Sequence, residues 1–230
     1  MFLTKMDLDP GRRMTRKFLG SPQAMHAVVM GAAAPSEERA PGEAAGRVLW
    51  RVDQGAFGTT LYIVSPTEPD MEQLISQAAP PGAEARTRDY DPFLSRLTTG
   101  QEWAFRLTAN PAHAVAQGPG VRGKVLGHVT VEHQRQWLLT RADRHGFEPL
   151  SSGDGDGEES VVVVRRERPE FGRNDPHSNR RARVTINRTV YEGLLRVTDA
   201  DKLRAMLVSG IGRSKAYGCG LMTLASPHRG

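Results

Sequence analysis

Apolar and polar side chains alternate loosely over residues 2–8 (Phe-Leu-Thr-Lys-Met-Asp-Leu), the two-residue period of a half-buried strand. Asp9-Pro10-Gly11 makes a turn, and Ser21 followed by Pro22 has the chemistry of a helix cap and a first helical position. The helix so opened carries Met25, Val28 and Val29 inward and runs to about Gly31, with an Ala/Pro/Glu-rich loop from Ala32 to Gly46. Residues 47–52 and 59–65 are apolar runs joined across a glycine-containing turn, a hairpin. A short helix from Asp70 to about Gln77 and a strand over 85–89 complete the order β-α-β-β-α-β, the ferredoxin-like pattern. Each of its two helices packs on one face of an antiparallel sheet.

An elaborated second copy of the pattern starts near Phe93. Residues 102–109 alternate as a strand stopped by Asn110-Pro111, and a loop holding Arg122 and Lys124 follows. Residues 129–145 read as a helix with Val131, Trp137 and Leu138 inward and Gly146 at its C-cap. Strands over 147–150 and 161–166 flank an acidic Gly/Asp/Ser loop at 151–160. A strand over 183–197, a helix over 199–208 with Asp199 near its cap, and an apolar run at 221–224 close the unit. The fold class is α+β, with one ferredoxin-like domain over 1–92 and a second over 93–230.

Hydrophobic residues make up 38% of the 230, enough for a core, while 24 Gly and 15 Pro imply much turn and loop. The single Cys219 excludes an internal disulfide and offers no thiolate cluster for a metal, which suits a reducing cytoplasm. The first fifteen residues hold Lys5, Asp7, Asp9, Arg12 and Arg13 with no long apolar stretch, unlike a signal peptide, and no apolar run approaches the length that spans a bilayer. Formal charge is +5. Residues 165–188 alone hold eight arginines against Glu167, Glu170 and Asp175, an excess equal to that of the whole chain. Such a localised basic stretch is the footprint of a polyanion partner, and its hydrophilicity favours nucleic acid over a membrane surface. Arg12, Arg13, Arg16 and Lys17 form a smaller basic cluster.

Near the C-terminus, Gly210, Gly212, Gly218 and Gly220 fall within eleven residues, with Arg213, Lys215 and Tyr217 between them. Glycines let successive N–H groups approach an anion without a Cβ in the way. The spacing matches neither a Walker loop nor a dinucleotide fingerprint, because a strand follows where either would need a helix. A glycine-rich turn between two elements is the plainer alternative.

The run G-I-G-R-S-K-A-Y-G-C-G-L at 210–221 resembles the signature of the CasE endoribonucleases, which process CRISPR precursor RNA in type I-E systems. Met1-Phe2-Leu3-Thr4-Lys5, Ser21-Pro22-Gln23-Ala24-Met25-His26, Arg106-Leu107-Thr108-Ala109-Asn110-Pro111 and Tyr191-Glu192-Gly193-Leu194-Leu195 occur in that family's order over nearly the whole chain. The resemblance implies tandem ferredoxin-like (RAMP-type) domains and a catalytic acid/base histidine at His26. It also implies a basic hairpin gripping the repeat stem-loop, retention of the mature CRISPR RNA, and a place beside the other Cascade subunits.

RNA can be cut without a metal when its own 2′-OH attacks the adjacent phosphate. The reaction needs a base, an acid for the departing 5′-oxygen, and cations or N–H donors for the developing charge. Histidine suits the proton transfers. Seven histidines are scattered over the chain, with no metal-binding spacing among them and no cofactor motif. Lys215 is the expected point charge at the phosphate, with Arg213 and the glycine amides around it. Some relatives carry a tyrosine where this chain has Gln23, which can only hydrogen-bond the RNA, so either His26 carries the proton transfers largely alone or another residue such as Tyr217 helps. Arg165, Arg166 and Arg168 lead out of one strand, and Arg181 and Arg183 lead back into another. That placement is expected to form one basic hairpin with an irregular tip over 169–179. The reading is a metal-independent endoribonuclease leaving a 2′,3′-cyclic phosphate and a 5′-hydroxyl. The rival is an RNA-binding structural subunit that cuts weakly or not at all.

Overall fold

A computed structural model describes residues 1–33, 47–115, 118, 123–151, 161–175 and 178–227, with the backbone alone over 173–175 and 178–182. The expected loops at 34–46 and 152–160, and His177 and His228, lie outside the described residues.

The first sheet has β1 (Phe2–Leu8), β2 (Leu49–Gly55), β3 (Gly58–Ser65) and β4 (Arg86–Asp89) in the antiparallel order β2-β3-β1-β4. That is the strand order a β-α-β-β-α-β chain adopts when its first and third strands sit centrally. Helices α1 (Arg13–Gly20), α2 (Pro22–Ala33) and α3 (Glu72–Ala78) supply apolar side chains to its face. Met6, Leu8, Phe18, Met25, Val29, Trp50, Leu61, Ile63 and Leu74 form the core there. Helix α1 is absent from the sequence expectation, which has a basic cluster of Arg12, Arg13, Arg16 and Lys17 at this place. Its buried Thr15 and Phe18 are too few to stand out from that charge. A short α4 (Asp91–Ser95) then crosses residues 92 and 93.

The second sheet runs β13-β5-β12-β8, with β9 also paired to β12, from β5 (Glu102–Ala109), β8 (Phe147–Leu150), β9 (Val161–Glu167), β12 (Arg188–Val197) and β13 (Met222–Ala225). Its order is that of the first sheet, with the second strand split in two. β8 pairs with residues 194–197 of β12 and β9 with residues 188–193, so the two lie end to end on one edge. Helices α5 (Val131–Ala142) and α6 (Ala200–Ser209) occupy the expected places. Thr130 Oγ1 accepts from the His133 N–H at the start of α5, and Asp199 accepts from the Asp201 and Lys202 N–H groups at the start of α6. Gly146 takes φ 76° just past α5. Trp137 and Leu138 are buried as expected, but Val131, the first residue of α5, is exposed.

Two hairpins are inserted. One is β6 (Ala112–Val115) with β7 (Lys124–Gly127), where only a loop was expected. The other is β10 (Glu170–Asp175) with β11 (Ser178–Thr185), and it corrects the expected basic hairpin. β9 pairs with β12, not with the arginine strand that follows, and the supposed irregular tip is itself paired. The single strand expected over 183–197 is likewise two, since the chain leaves β11 at Thr185 and enters β12 at Arg188.

The two sheets are locked together. Leu49 and Val64 of the first sheet belong to the core of the second. Arg51, 1% exposed, donates from Nη1 to the carbonyls of Arg106 (2.6 Å) and Leu221 (3.1 Å) and from Nη2 to Thr223 Oγ1 (2.8 Å). Asp53, two residues on, takes two bonds of 2.8 Å from the same guanidinium, so the buried charge is compensated.

Candidate functional site

Helix α2 begins where Ser21 Oγ accepts the Ala24 N–H (3.3 Å). Met25, Val29 and Ala33, at four-residue spacing, are its buried stripe. The adjoining stripe, Gln23, His26 and Met30, therefore lies at the edge of the core and faces out over the seam between the sheets. There it forms one wall of an open cleft of about 660 Å³. Arg47 and Val48 contribute to the cleft, and the opposite wall is the glycine loop, residues 212–217.

The loop is held in place by backbone that ordinary residues disfavour. Gly210, Gly212, Gly218 and Gly220 all have φ between 74° and 96°. At each of them a Cβ would also come within 3.0 Å of a neighbouring atom. A Cβ on Gly212 would lie 2.9 Å from the Trp137 ring, and one on Gly218 would lie 2.6 Å from the Trp50 ring. The loop is thus pressed against an indole from each half of the molecule. Ser214 takes φ 63°, the one positive value at a non-glycine among the described residues. Its Oγ accepts from Asn110 Nδ2 at 2.8 Å, and Asn110 Oδ1 in turn accepts from the Asn187 N–H at 3.2 Å. Asn110 belongs to the Arg106–Pro111 run, yet its sequence signal was only that of a strand stop before proline. Arg188 pins the other end of the loop, donating to the Tyr217 carbonyl (3.2 Å) while paired to Glu167 (3.3 Å).

His26, Gln23, Lys215, Arg213 and Tyr217, drawn from opposite ends of the sequence, thus share one cleft. His26 is half-buried, its Nδ1 is sealed from solvent, and no hydrogen-bond partner for that nitrogen occurs among the described residues. Burial lowers its pKa, which favours the neutral imidazole, the form able to accept a proton, at pH 7. Lys215 is likewise depressed, first by burial and then by repulsion from Arg47. Tyr217 sets its ring edge-on to Phe171, 4.8 Å between centroids. Of the remaining described histidines, His113, His128 and His133 gather between the β6–β7 hairpin and α5, with ring centroids 4.6 and 5.9 Å apart, and His145 lines a different pocket. None of these four lines the cleft. Cys219 is fully buried and its thiol is pushed up to about 11, so it stays protonated and inert.

The basic residues divide. Arg166, Arg168 and Arg183 are exposed, with Arg166 donating to the Val129 carbonyl and Arg183 paired to Glu170. Arg165 instead faces the seam, donating to Gln54 Oε1 (2.7 Å) and pairing with Glu167 (2.6 Å). Arg181 lies opposite Asn174 in the β10–β11 ladder, where the backbone alone is described. Arg12 is used by the fold, donating to the Ala79 carbonyl (2.7 Å) at the end of α3, while Arg13 is exposed on α1. Neither Arg12 nor Arg13 lines the cleft. Among the described residues no group of three or more His, Cys, Asp or Glu side chains is arranged to hold a metal ion, and no helix is long and apolar enough to cross a membrane.

A family model described as CRISPR associated protein matches residues 1–226. The chain is similar to the CRISPR-associated endoribonuclease Cse3 of Thermus thermophilus, 30% identical over 230 residues that cover 98% of this chain and all of that protein. The CRISPR system Cascade subunit CasE of Escherichia coli is 28% identical over 130 residues, covering 56% of this chain and 61% of that one. A structure of Cse3 bound to a 19-nucleotide RNA superposes with a TM-score of 0.75 at 29% identity, covering 98% of this chain and 100% of that one.

Proposed function

The chain belongs to the family of CRISPR associated proteins, and from that premise we propose that it is an endoribonuclease that cuts precursor CRISPR RNA at the base of the repeat stem-loop. The observation that carries the reading is the meeting of His26 with Lys215, Arg213 and Tyr217 across the seam. By this reading residues 1–92 bring the catalytic helix, and residues 93–230 bring the glycine loop and the basic hairpin. The enzyme works in the cytoplasm as a Cascade subunit and keeps hold of the mature RNA.

Neutral His26 takes the proton of the 2′-OH. The 2′-oxygen forms a bond to phosphorus, the bond from phosphorus to the 5′-oxygen breaks, and the proton is returned to that departing oxygen. The products are a 2′,3′-cyclic phosphate and a 5′-hydroxyl. No metal is required, because the proton transfers and the charge compensation come from side chains and amides. Lys215, partly desolvated, acts on the phosphorane as a point charge, strengthened by the low local dielectric. Tyr217 lines the same cleft and is the alternative donor to the departing oxygen should His26 not act alone, and Gln23 hydrogen-bonds the RNA. Arg166, Arg168, Arg181 and Arg183 hold the stem through its backbone, the way A-form RNA is gripped. Gln23, which cannot exchange a proton, is the one observation in favour of a weakly cutting structural subunit, and turnover separates the two readings.

The pH profile tests the assignment. His26 must be neutral to act as base, so single-turnover cleavage in EDTA should fall in acid with an inflection below the ordinary histidine value of about 6.5. Lys215 must stay charged, so the rate should fall in alkali with an inflection below the ordinary lysine value of about 10.4. An acid inflection above about 6.5, or one that persists in His26→Ala, contradicts a general-base role for His26.

A further inference from the structure

A second pocket, of about 410 Å³, lies across the glycine loop from His26. Gly212, Arg213 and Lys215 line both spaces, so the loop is their common wall. The other side is the end of α5 and the turn after it, which bring Arg141, Arg144 and His145. Three arginines, Lys215 and an imidazole therefore converge on this pocket, and no carboxylate lines it. Arg144 is exposed and has no ion-pair partner among the described residues. Cations on a helix's last turn are favoured by the helix dipole, which accounts for Arg141 and Arg144 being there. The dipole does not account for Arg213 and Lys215, which come from another element and face them.

The gap between the two sets is fixed by one indole. Arg141 lies over the face of Trp137, 4.5 Å from the ring centroid, and donates to its carbonyl at 2.9 Å. Gly212 packs against the edge of the same ring, where a Cβ would come within 2.9 Å. The α5 cations and the loop cations are thus held in register by a buried side chain, as a preorganised anion site requires. His145 is pushed down by burial and by Arg144, Arg141 and Lys215, as expected where positive charge is held without an anion.

We infer that this pocket binds a backbone phosphate of the single-stranded RNA flanking the scissile bond, with Arg144 and His145 as its contacts and Arg213 and Lys215 shared with the cutting site. The inference rests on the endoribonuclease reading above. Its role is to fix the strand on one side of the cut while the basic hairpin fixes the stem on the other, so that the 2′-oxygen, phosphorus and 5′-oxygen are held in line.

The test compares Arg144→Gln/His145→Gln with the wild type on two RNAs in EDTA, the bare repeat stem-loop and the same stem-loop with single-stranded flanks. The wild type is expected to bind the flanked RNA about tenfold more tightly than the bare one, and the double variant to bind both alike. Its log-log salt slope on flanked RNA should be shallower by about 0.7 for each phosphate no longer held. Arg144→Lys should restore much of the difference, since it keeps the charge. Unchanged binding of flanked RNA by the double variant overturns the subsite, as does an equal loss on the bare stem-loop, which would place these residues on the stem. A wild type that prefers neither RNA over a random strand overturns the functional reading itself, a result distinct from both.

Discussion

His26→Ala is expected to lower single-turnover cleavage of a repeat stem-loop by about 10²- to 10⁴-fold, the range for loss of a positioned acid/base group. Binding of the same RNA should be nearly unchanged. His26 contributes to the seam face of α2, while the helix is held to its sheet by Met25, Val29 and Ala33. Truncating it removes a half-buried imidazole whose Nδ1 makes no hydrogen bond among the described residues, so the fold loses little. Electrophoretic separation of cut RNA over time, beside a binding titration, reads the two effects separately. A variant that cuts within about threefold of wild type would move the proton transfers to Tyr217 or Lys215.

Arg51→Ala should destabilise the protein by about 3 kcal/mol, the low end of the cost of removing one member of a hydrogen-bonded ion pair, because Arg51 is buried while Asp53 is partly exposed. The substitution removes the guanidinium donor from the Arg106 and Leu221 carbonyls and Thr223 Oγ1, and leaves Asp53 with Arg106 alone among the described residues, at 3.3 Å. Because Arg106 and Thr223 belong to the second sheet and Arg51 to the first, the effect reaches the cleft. α2 and the glycine loop sit on opposite sides of the seam that Arg51 closes. Urea unfolding should show a lower midpoint, and cleavage should fall beyond what the folded fraction explains. A stability change below about 1 kcal/mol would mean that the apolar seam around Leu49 holds the halves together unaided.

Much of the fold was readable in the sequence because the relevant signals are local. Residues 102–109 alternate cleanly and form the strand with those bounds, Asp199 caps α6, and Gly146 ends the helical stretch after α5. His26 and the glycine loop were singled out by motif, and the fold brings them into one cleft. What was not readable depends on pairing. Nothing in Val161 to Arg168 says whether the strand takes β11 or β12 as its neighbour, and it takes β12. Arginine count likewise cannot tell an exposed cation from a structural one. Arg51, Arg12 and Arg165 all turn inward to bond main-chain or side-chain acceptors, and only the tertiary fold decides which. The α1 helix was hidden by its own charge, and Asn110 by the ordinary look of Asn-Pro.

The most direct test of in-line cleavage by the RNA's own 2′-OH replaces one atom of the substrate. A repeat stem-loop carrying a single 2′-deoxynucleotide immediately 5′ of the scissile phosphate, incubated with excess protein in EDTA, should be bound as tightly as the all-ribose RNA and remain uncut. The all-ribose strand should be cut to a 2′,3′-cyclic phosphate. Cleavage of the deoxy strand at the same bond would show that an external nucleophile does the work, and would contradict the role of His26 as the base for the 2′-OH.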